Sequence, residues 1–247
     1  MLLIIQTGDP VPAAIKQYGR FSDWFKQGME LANANQEVSV VDVHLGHDLP
    51  CFEKTAEDLT GIIITGSPAM ITDQDTWLIK TQQWLNQIMV YKIPTLGVCF
   101  GHQLLADLLG GQVAYNPKGR NLGMSEFKLS KHATSDPLLQ SLKPDTSIPT
   151  FASHLQHVKA LPQTATLLGS CSIDKNHAFR AEEAIWGLQF HPEWSIEITQ
   201  TYIAARSDAL INEGVDPIER ANQLRPCKQA YGLLSQFTKL TRIHAVK

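Results

Sequence analysis

The chain has 247 residues, 43% of them hydrophobic and 18% charged, with a formal net charge of −3. That is enough apolar material for one main globular domain, while the near-neutral balance and scattered Lys and Arg residues exclude a basic stripe for nucleic acid or an anionic membrane surface. No apolar run approaches the roughly 20 residues needed to cross a bilayer.

Met1 to Ile5 is apolar, lacks a positive start and is followed at once by Gln6, Thr7, Gly8 and Asp9. It reads as a strand rather than a signal peptide, and a cytoplasmic location is expected. Apolar and amphipathic stretches then alternate: Leu2 to Ile5, Phe21 to Ala34, Val38 to Val43, Gly61 to Ile64, Thr76 to Tyr91 and Pro94 to Val98. This alternation predicts βαβ units and a parallel sheet. Within Thr76 to Tyr91, Trp77, Ile79, Trp84, Leu85, Ile88 and Met89 recur near helical intervals, so the tryptophans read as core packing rather than a cofactor box.

From Gly111 to Leu188 the chain becomes strand-rich, with candidates at Met124 to Leu129, Thr166 to Gly169 and Ala184 to Phe190, expected as antiparallel additions. Helices are expected after Glu193 at Ile196 to Ile211, Asp216 to Leu224 and Gln229 to Leu240. Residues 1–195 are therefore expected to form the main domain, with 196–247 as a helical extension packed on it. The tail either covers a sheet edge or builds a homodimer contact.

The four cysteines, Cys51, Cys99, Cys171 and Cys227, form no CxxC pair and are too sparse for a disulfide scaffold, so reduced thiols are the default. Cys99 lies in Gly97-Val98-Cys99-Phe100-Gly101, between an apolar strand and an apolar-periodic helix. This G-x-C-x-G is the thiol form of a nucleophile elbow. A Cβ two positions either side of the nucleophile would collide with the neighbouring strand or helix, hence the glycines. The first turn of the following helix favours a thiolate. The bland alternative is a buried structural cysteine between two glycines.

Acyl transfer from a thiolate needs a proton partner, and histidine titrates in the right range. His191 follows the apolar run Ile185 to Phe190 and precedes Pro192 and Glu193. In extended chain, residues two apart point the same way, so Glu193 can fix the His191 tautomer. His102 is a rival base one helical turn from Cys99, but no carboxylate accompanies it locally, and it reads as a packing histidine. Gly66-Ser67-Pro68 follows the strand Gly61 to Ile64, at the carboxyl end where open α/β sheets bind ligands. Backbone N–H groups of Gly66 or Ser67 and of Phe100 are the candidate oxyanion hole. The pairs His44 and His47, and His154 and His157, lack a nearby Cys or carboxylate cluster, so no metal is expected.

Thr65-Gly66-Ser67-Pro68, Gly97 to Gln103 and Phe190-His191-Pro192-Glu193 occur in the order and approximate spacing of the class I glutamine amidotransferases. The chain resembles stand-alone members related to the glutaminase domain of GMP synthase, over most of residues 1–200. The resemblance implies a flavodoxin-like open sheet with helices on both faces, glutamine or another γ-glutamyl amide as substrate, a thioester on Cys99 and no cofactor. It also implies that Gln103, Ser153, His154 and Leu155 hold the substrate. Two positions depart from the family pattern: Asn121, where relatives often carry Glu, and Gln156, where Asp is common. Three functional readings follow. One is a glutaminase handing ammonia to a separate synthase, another a self-sufficient γ-glutamyl peptide hydrolase, and the third a non-enzymatic regulatory relative, against which the intact Cys99, His191 and Glu193 argue.

Overall fold

The computed structural model describes residues 1–30, 36–51, 55–143 and 147–245. The apolar runs of the first hundred residues form β1 (Leu2–Gln6), β2 (Val38–Asp42), β3 (Gly61–Ile64) and β4 (Thr95–Val98), which pair in parallel. Later strands are β5 (Gln112–Tyr115), β6 (Asn121–Leu129), β7 (Ile148–His154), β8 (Gln156–Ala160), β9 (Ala165–Ser170), β10 (Ala178–Ala181) and β11 (Ile185–Leu188). Among the described residues they build a nine-stranded sheet of order β2-β1-β3-β4-β11-β10-β9-β6-β7 and a two-stranded sheet of β5 and β8.

Strand β11 departs from the sequence reading. Ala184 to Phe190 is expected as an antiparallel addition, yet β11 is antiparallel only to β10 and runs parallel to β4, with Leu188 opposite Val98. It is a strand of the parallel half, and its carboxyl end emerges beside that of β4. The β9, β6 and β7 pairings are antiparallel.

Alternation of side chains along the parallel strands divides the apolar core into two layers. Leu2, Ile4, Ile63, Leu96 and Val98 face one layer, whereas Leu3, Ile5, Ile62 and Ile64 face the other. The first is covered by α1 (Pro12–Tyr18), by α2 (Phe21–Gly28) with Trp24 and Phe25, and by the C-terminal helices. The second is covered by α3 (Thr76–Ile88) and α4 (Phe100–Leu108), through Leu78, Leu85, Ile88, Leu104 and Leu105. Trp84 is buried in this layer and Trp77 packs on Phe100 at 5.7 Å between ring centroids. The stretch expected to run from Phe21 to Ala34 ends its helix at Gly28, and residues 31–34 lie outside the described residues.

The expected helix from Ile196 to Ile211 is two helices, α5 (Ile196–Ala205) and α6 (Ser207–Asn212), separated at Arg206 with φ −118° and ψ 16°. The helix α7 (Pro217–Asn222) starts on Asp216, whose carboxylate accepts from the Ile218 and Glu219 N–H groups, and α8 (Lys228–His244) follows. Ile198, Ile203, Leu210 and Phe237 of these helices share a layer with Leu2 and Ile4. No helix among the described residues is long and apolar enough to cross a membrane.

Packing is closest where β4 passes into α4. A Cβ on Gly97 would lie 2.3 Å from the Gly101 carbonyl oxygen, and one on Gly101 would lie 2.4 Å from that of Ile64. Backbone atoms held in a sheet cannot yield to such contacts. Gly101→Ala is therefore expected to lower the unfolding free energy in urea by about 3 kcal/mol; an unchanged midpoint would mean that α4 can shift off β3.

Candidate active site

Between β4 and α4, Cys99 adopts φ +53° and ψ −100°, a left-handed backbone rarely used by side-chain-bearing residues. The bend is held from both sides. Cys99 N–H donates to the Leu188 carbonyl at 2.8 Å, Gly101 N–H to that of Thr65 at 3.2 Å, and the Cys99 carbonyl accepts from Gln103 N–H at 3.2 Å. The thiol is thereby fixed at the N-terminus of α4, where unpaired amides favour negative charge. Its sulfur lies 3.5 Å from the Ser153 carbonyl oxygen at the end of β7.

The parallel pairing of β11 with β4 brings His191 to the same edge, and its N–H donates to the Phe151 carbonyl at 2.8 Å. His191 Nδ1 is 2.7 Å from Glu193 Oε1, with both side chains nearly excluded from solvent. This contact commits Nδ1, and the imidazole also interacts electrostatically with the Cys99 sulfur. Burial disfavours an imidazolium here, but the Glu193 carboxylate and the Cys99 sulfur outweigh it and push His191 up to about 10. The imidazole also stacks on Trp194 at 4.0 Å and 18°, and Trp194 packs on Tyr202 of α5 at 4.2 Å.

Gly66 sits against this pair, since a Cβ there would lie 3.1 Å from His191 Cε1 and 3.7 Å from Cys99 Cβ. The Gly66 carbonyl oxygen accepts from the hydroxyls of Thr7 and Thr65, each at 3.0 Å. In a trans peptide the next N–H points the opposite way, so these bonds fix the Ser67 N–H direction as well. Ser67 Oγ donates to the Thr7 carbonyl at 2.7 Å, and Phe100 is the first residue of α4. Thr7 escapes sequence reading because its partners lie 58 and 59 residues downstream.

Gln103, Ser153, His154 and Leu155 line one cavity with Cys99 and His191. The Gln103 amide nitrogen is committed to the protein, donating to the Gln156 carbonyl at 2.7 Å and to Gln189 Oε1 at 3.0 Å. Gln156 bridges the cavity floor to the next segment, accepting from Ile71 N–H at 3.0 Å and donating to Thr72 Oγ1 at 2.7 Å. A carboxylate could accept from the Ile71 N–H and from the Thr72 hydroxyl, whereas the amide here accepts from one and donates to the other. Asn121 is buried opposite His154 on β6, and its Nδ2 has no partner among the described residues.

His102 is fully buried against Phe179, 5.0 Å between ring centroids, and burial pushes it down to about 3. His44 faces the Gln6 carbonyl at 3.1 Å and Asp9 at 3.4 Å. The sequence shows no carboxylate beside His154 and His157, but the fold supplies one. Asp174 lies 3.1 Å from each and 3.3 Å from His177, and Asn116 donates to it. Among the described residues, His154, Asp174 and His177 are the His, Cys, Asp and Glu side chains close enough together to share a metal ion. Burial outweighs Asp174 at His154 and holds it neutral at about 4. At His177 the Asp174 carboxylate and the Cys171 sulfur, 3.6 Å away, prevail over burial and lift the imidazole to about 9.

Known proteins share both this sequence pattern and this fold. The profile described as Glutamine amidotransferase class-I matches residues 21–207. Gamma-glutamyl peptidase 3 of Arabidopsis thaliana is 27% identical over 150 residues, which is 59% of either chain. A glutamine-hydrolyzing GMP synthase subunit from Halobacterium salinarum is 32% identical over 137 residues, 55% of this chain and 67% of that one. The chain thus spans about three-fifths to two-thirds of the length of these relatives. A glutamine amidotransferase structure from Thermotoga maritima superposes with a TM-score of 0.76 at 20% identity, covering 98% of both chains.

The Asp174–His177 pair carries a pH signature. The folded value of about 9 for His177 lies above its usual 6.5, so its stabilising contribution is complete below pH 6.5 and is lost as pH rises through about 9. The stability difference between wild type and His177→Gln, measured by thermal unfolding across this range, is expected to shrink toward the alkaline end. A pH-independent difference would exclude a charged His177.

Proposed function

Because the chain belongs to the class I glutamine amidotransferase family, we propose that it hydrolyses γ-glutamyl amides through a thioester on Cys99, with His191 as acid and base and Glu193 orienting it. The observation that carries this reading is the strained Cys99 backbone at the start of α4, beside an imidazole that Glu193 holds at 2.7 Å. A left-handed cysteine carries strain of order 1–3 kcal/mol, tolerated where a site needs the side chain displayed.

The Cys99 sulfur attacks the γ-carbonyl carbon, forming a C–S bond and a tetrahedral oxyanion. The N–H groups of Gly66 or Ser67 and of Phe100 are the proposed donors to that oxygen, each worth roughly 3 kcal/mol in the transition state. Collapse breaks the C–N bond, and His191 delivers its proton to the departing amine. Water then attacks the thioester while His191 takes its proton, which releases glutamate and restores the thiol. Glu193 keeps the imidazole in one tautomer throughout. The strand end at Ser153, His154 and Leu155, with Gln103 behind it, is the proposed rest for the glutamyl portion.

This reading assigns the chemistry to residues 1–195 and treats 196–247 as an extension packed on the same domain. The Halobacterium salinarum relative is by name one subunit of a glutamine-hydrolyzing synthase, which supports a second reading in which a partner chain takes the ammonia. Full turnover by the isolated chain would count against that route.

Intact-mass spectrometry with a panel of γ-glutamyl amides is expected to find a glutamyl adduct on wild type and none on Cys99→Ala, with the circular dichroism of the fold retained. His191→Ala should lower kcat/KM about 1000-fold. Glu193→Ala should lower it about 100-fold and move the alkaline limb of the pH profile to lower pH, because the carboxylate that raises His191 is gone. Wild-type amine release by Cys99→Ala would overturn the mechanism.

A further inference from the structure

The cavity at Cys99 has a volume of about 540 Å³. Glutamine would occupy about 200 Å³ at the packing density of a protein interior, so more than half of the space is surplus to it. The walls include Ser153, His154 and Leu155 on one side, and Tyr202, Ala205, Arg206 and Ala209 from the helices after Glu193. Ala205 and Ala209 are small and Tyr202 is buried against Trp194. The α5–α6 wall therefore leaves room for a group larger than ammonia.

The charges lining this space do not balance. Asp9 is held by Arg20 at 2.8 Å, and Arg120 is paired with Glu213 at 3.1 Å. Arg206, at the break between α5 and α6, lines the same cavity and has no ion pair among the described residues. Its backbone is fixed, since the Arg206 N–H donates to the Tyr202 and Ile203 carbonyls at 3.1 and 3.2 Å. A cation left uncompensated in a concave site is a receptor for an anion, and a guanidinium matches a carboxylate with two parallel hydrogen bonds.

We propose that the surplus space is a leaving-group subsite in which Arg206 receives a carboxylate, so that the preferred substrates are γ-glutamyl amino acids or peptides rather than glutamine. The proposal rests on Cys99 as the nucleophile: the bond broken is the γ-amide, and the departing amine is that of an amino acid whose own carboxylate faces Arg206. The glutamyl end, resting on the β7 strand end, is common to all donors and does not distinguish among them.

The test compares donors sharing that end. Values of kcat/KM for γ-glutamylglycine and for γ-glutamyl methylamide, which lacks the second carboxylate, are measured on the full chain and on Arg206→Met and Arg206→Lys. Wild type is expected to favour γ-glutamylglycine about tenfold, in line with one charge-assisted contact. The ratio should fall about tenfold in Arg206→Met and less in Arg206→Lys. An unchanged ratio, or equal losses on both donors, would place Arg206 outside the leaving-group site and overturn the proposal. Calorimetric binding of the same two compounds to Cys99→Ala separates this proposal from the mechanism. Arg206-dependent preference for γ-glutamylglycine without any turnover by wild type would leave the subsite standing and remove the thioester reading, whereas turnover without Arg206-dependent preference would do the reverse.

Discussion

At residue 99 the chain passes from strand to helix through a left-handed backbone, held by hydrogen bonds from Cys99 to Leu188, from Gly101 to Thr65 and from Gln103 to Cys99. Every other part of the site is arranged around that bend. The conformation is tolerable only because Gly97 and Gly101 bring the two elements to within contact of backbone on backbone. The result is a buried sulfur fixed at the α4 N-terminus and against the Ser153 carbonyl, where it still lines the cavity. Two layers of apolar side chains on opposite faces of the sheet supply the rigidity this requires.

The second constraint is strand order. Because β11 is inserted in parallel beside β4, its end and the Cys99 bend reach the same edge of the sheet, and two more residues deliver Glu193 to the far side of the imidazole. Burial alone would hold His191 neutral, yet the carboxylate and the sulfur reverse that tendency. The β1 and β3 ends add Thr7 and Thr65, whose hydroxyls clamp the Gly66 carbonyl and so orient the peptide that follows it.

What could be read from the sequence is what local physics enforces. Glycines two positions either side of a cysteine report a steric demand on nearby backbone. Histidine and glutamate two apart in extended chain report a shared face. Short apolar runs separated by amphipathic stretches report a two-sided sheet, and the strands β1, β3 and β4 lie where those runs lie. What could not be read depends on residues that meet only after folding. Asp174 joins His154 and His157 from a turn between β9 and β10, Thr7 reaches Thr65 from the end of a neighbouring strand, and the parallel partner of β11 is set by topology. The break at Arg206 hides because an apolar-periodic pattern continues through it, with Leu210 buried just as Ile203 is.

That break has a consequence for how such a protein diversifies. The proposed catalytic groups sit past a strand end and at one helix start, while another wall of the cavity belongs to α5 and α6, whose lining positions Ala205, Arg206 and Ala209 are not among the buried core residues. Replacing them alters the shape and charge offered to an incoming molecule without disturbing any contact that anchors the sheet. The shape and charge of the cavity can therefore change by single substitutions on this wall, while the Cys99 bend stays constrained by packing.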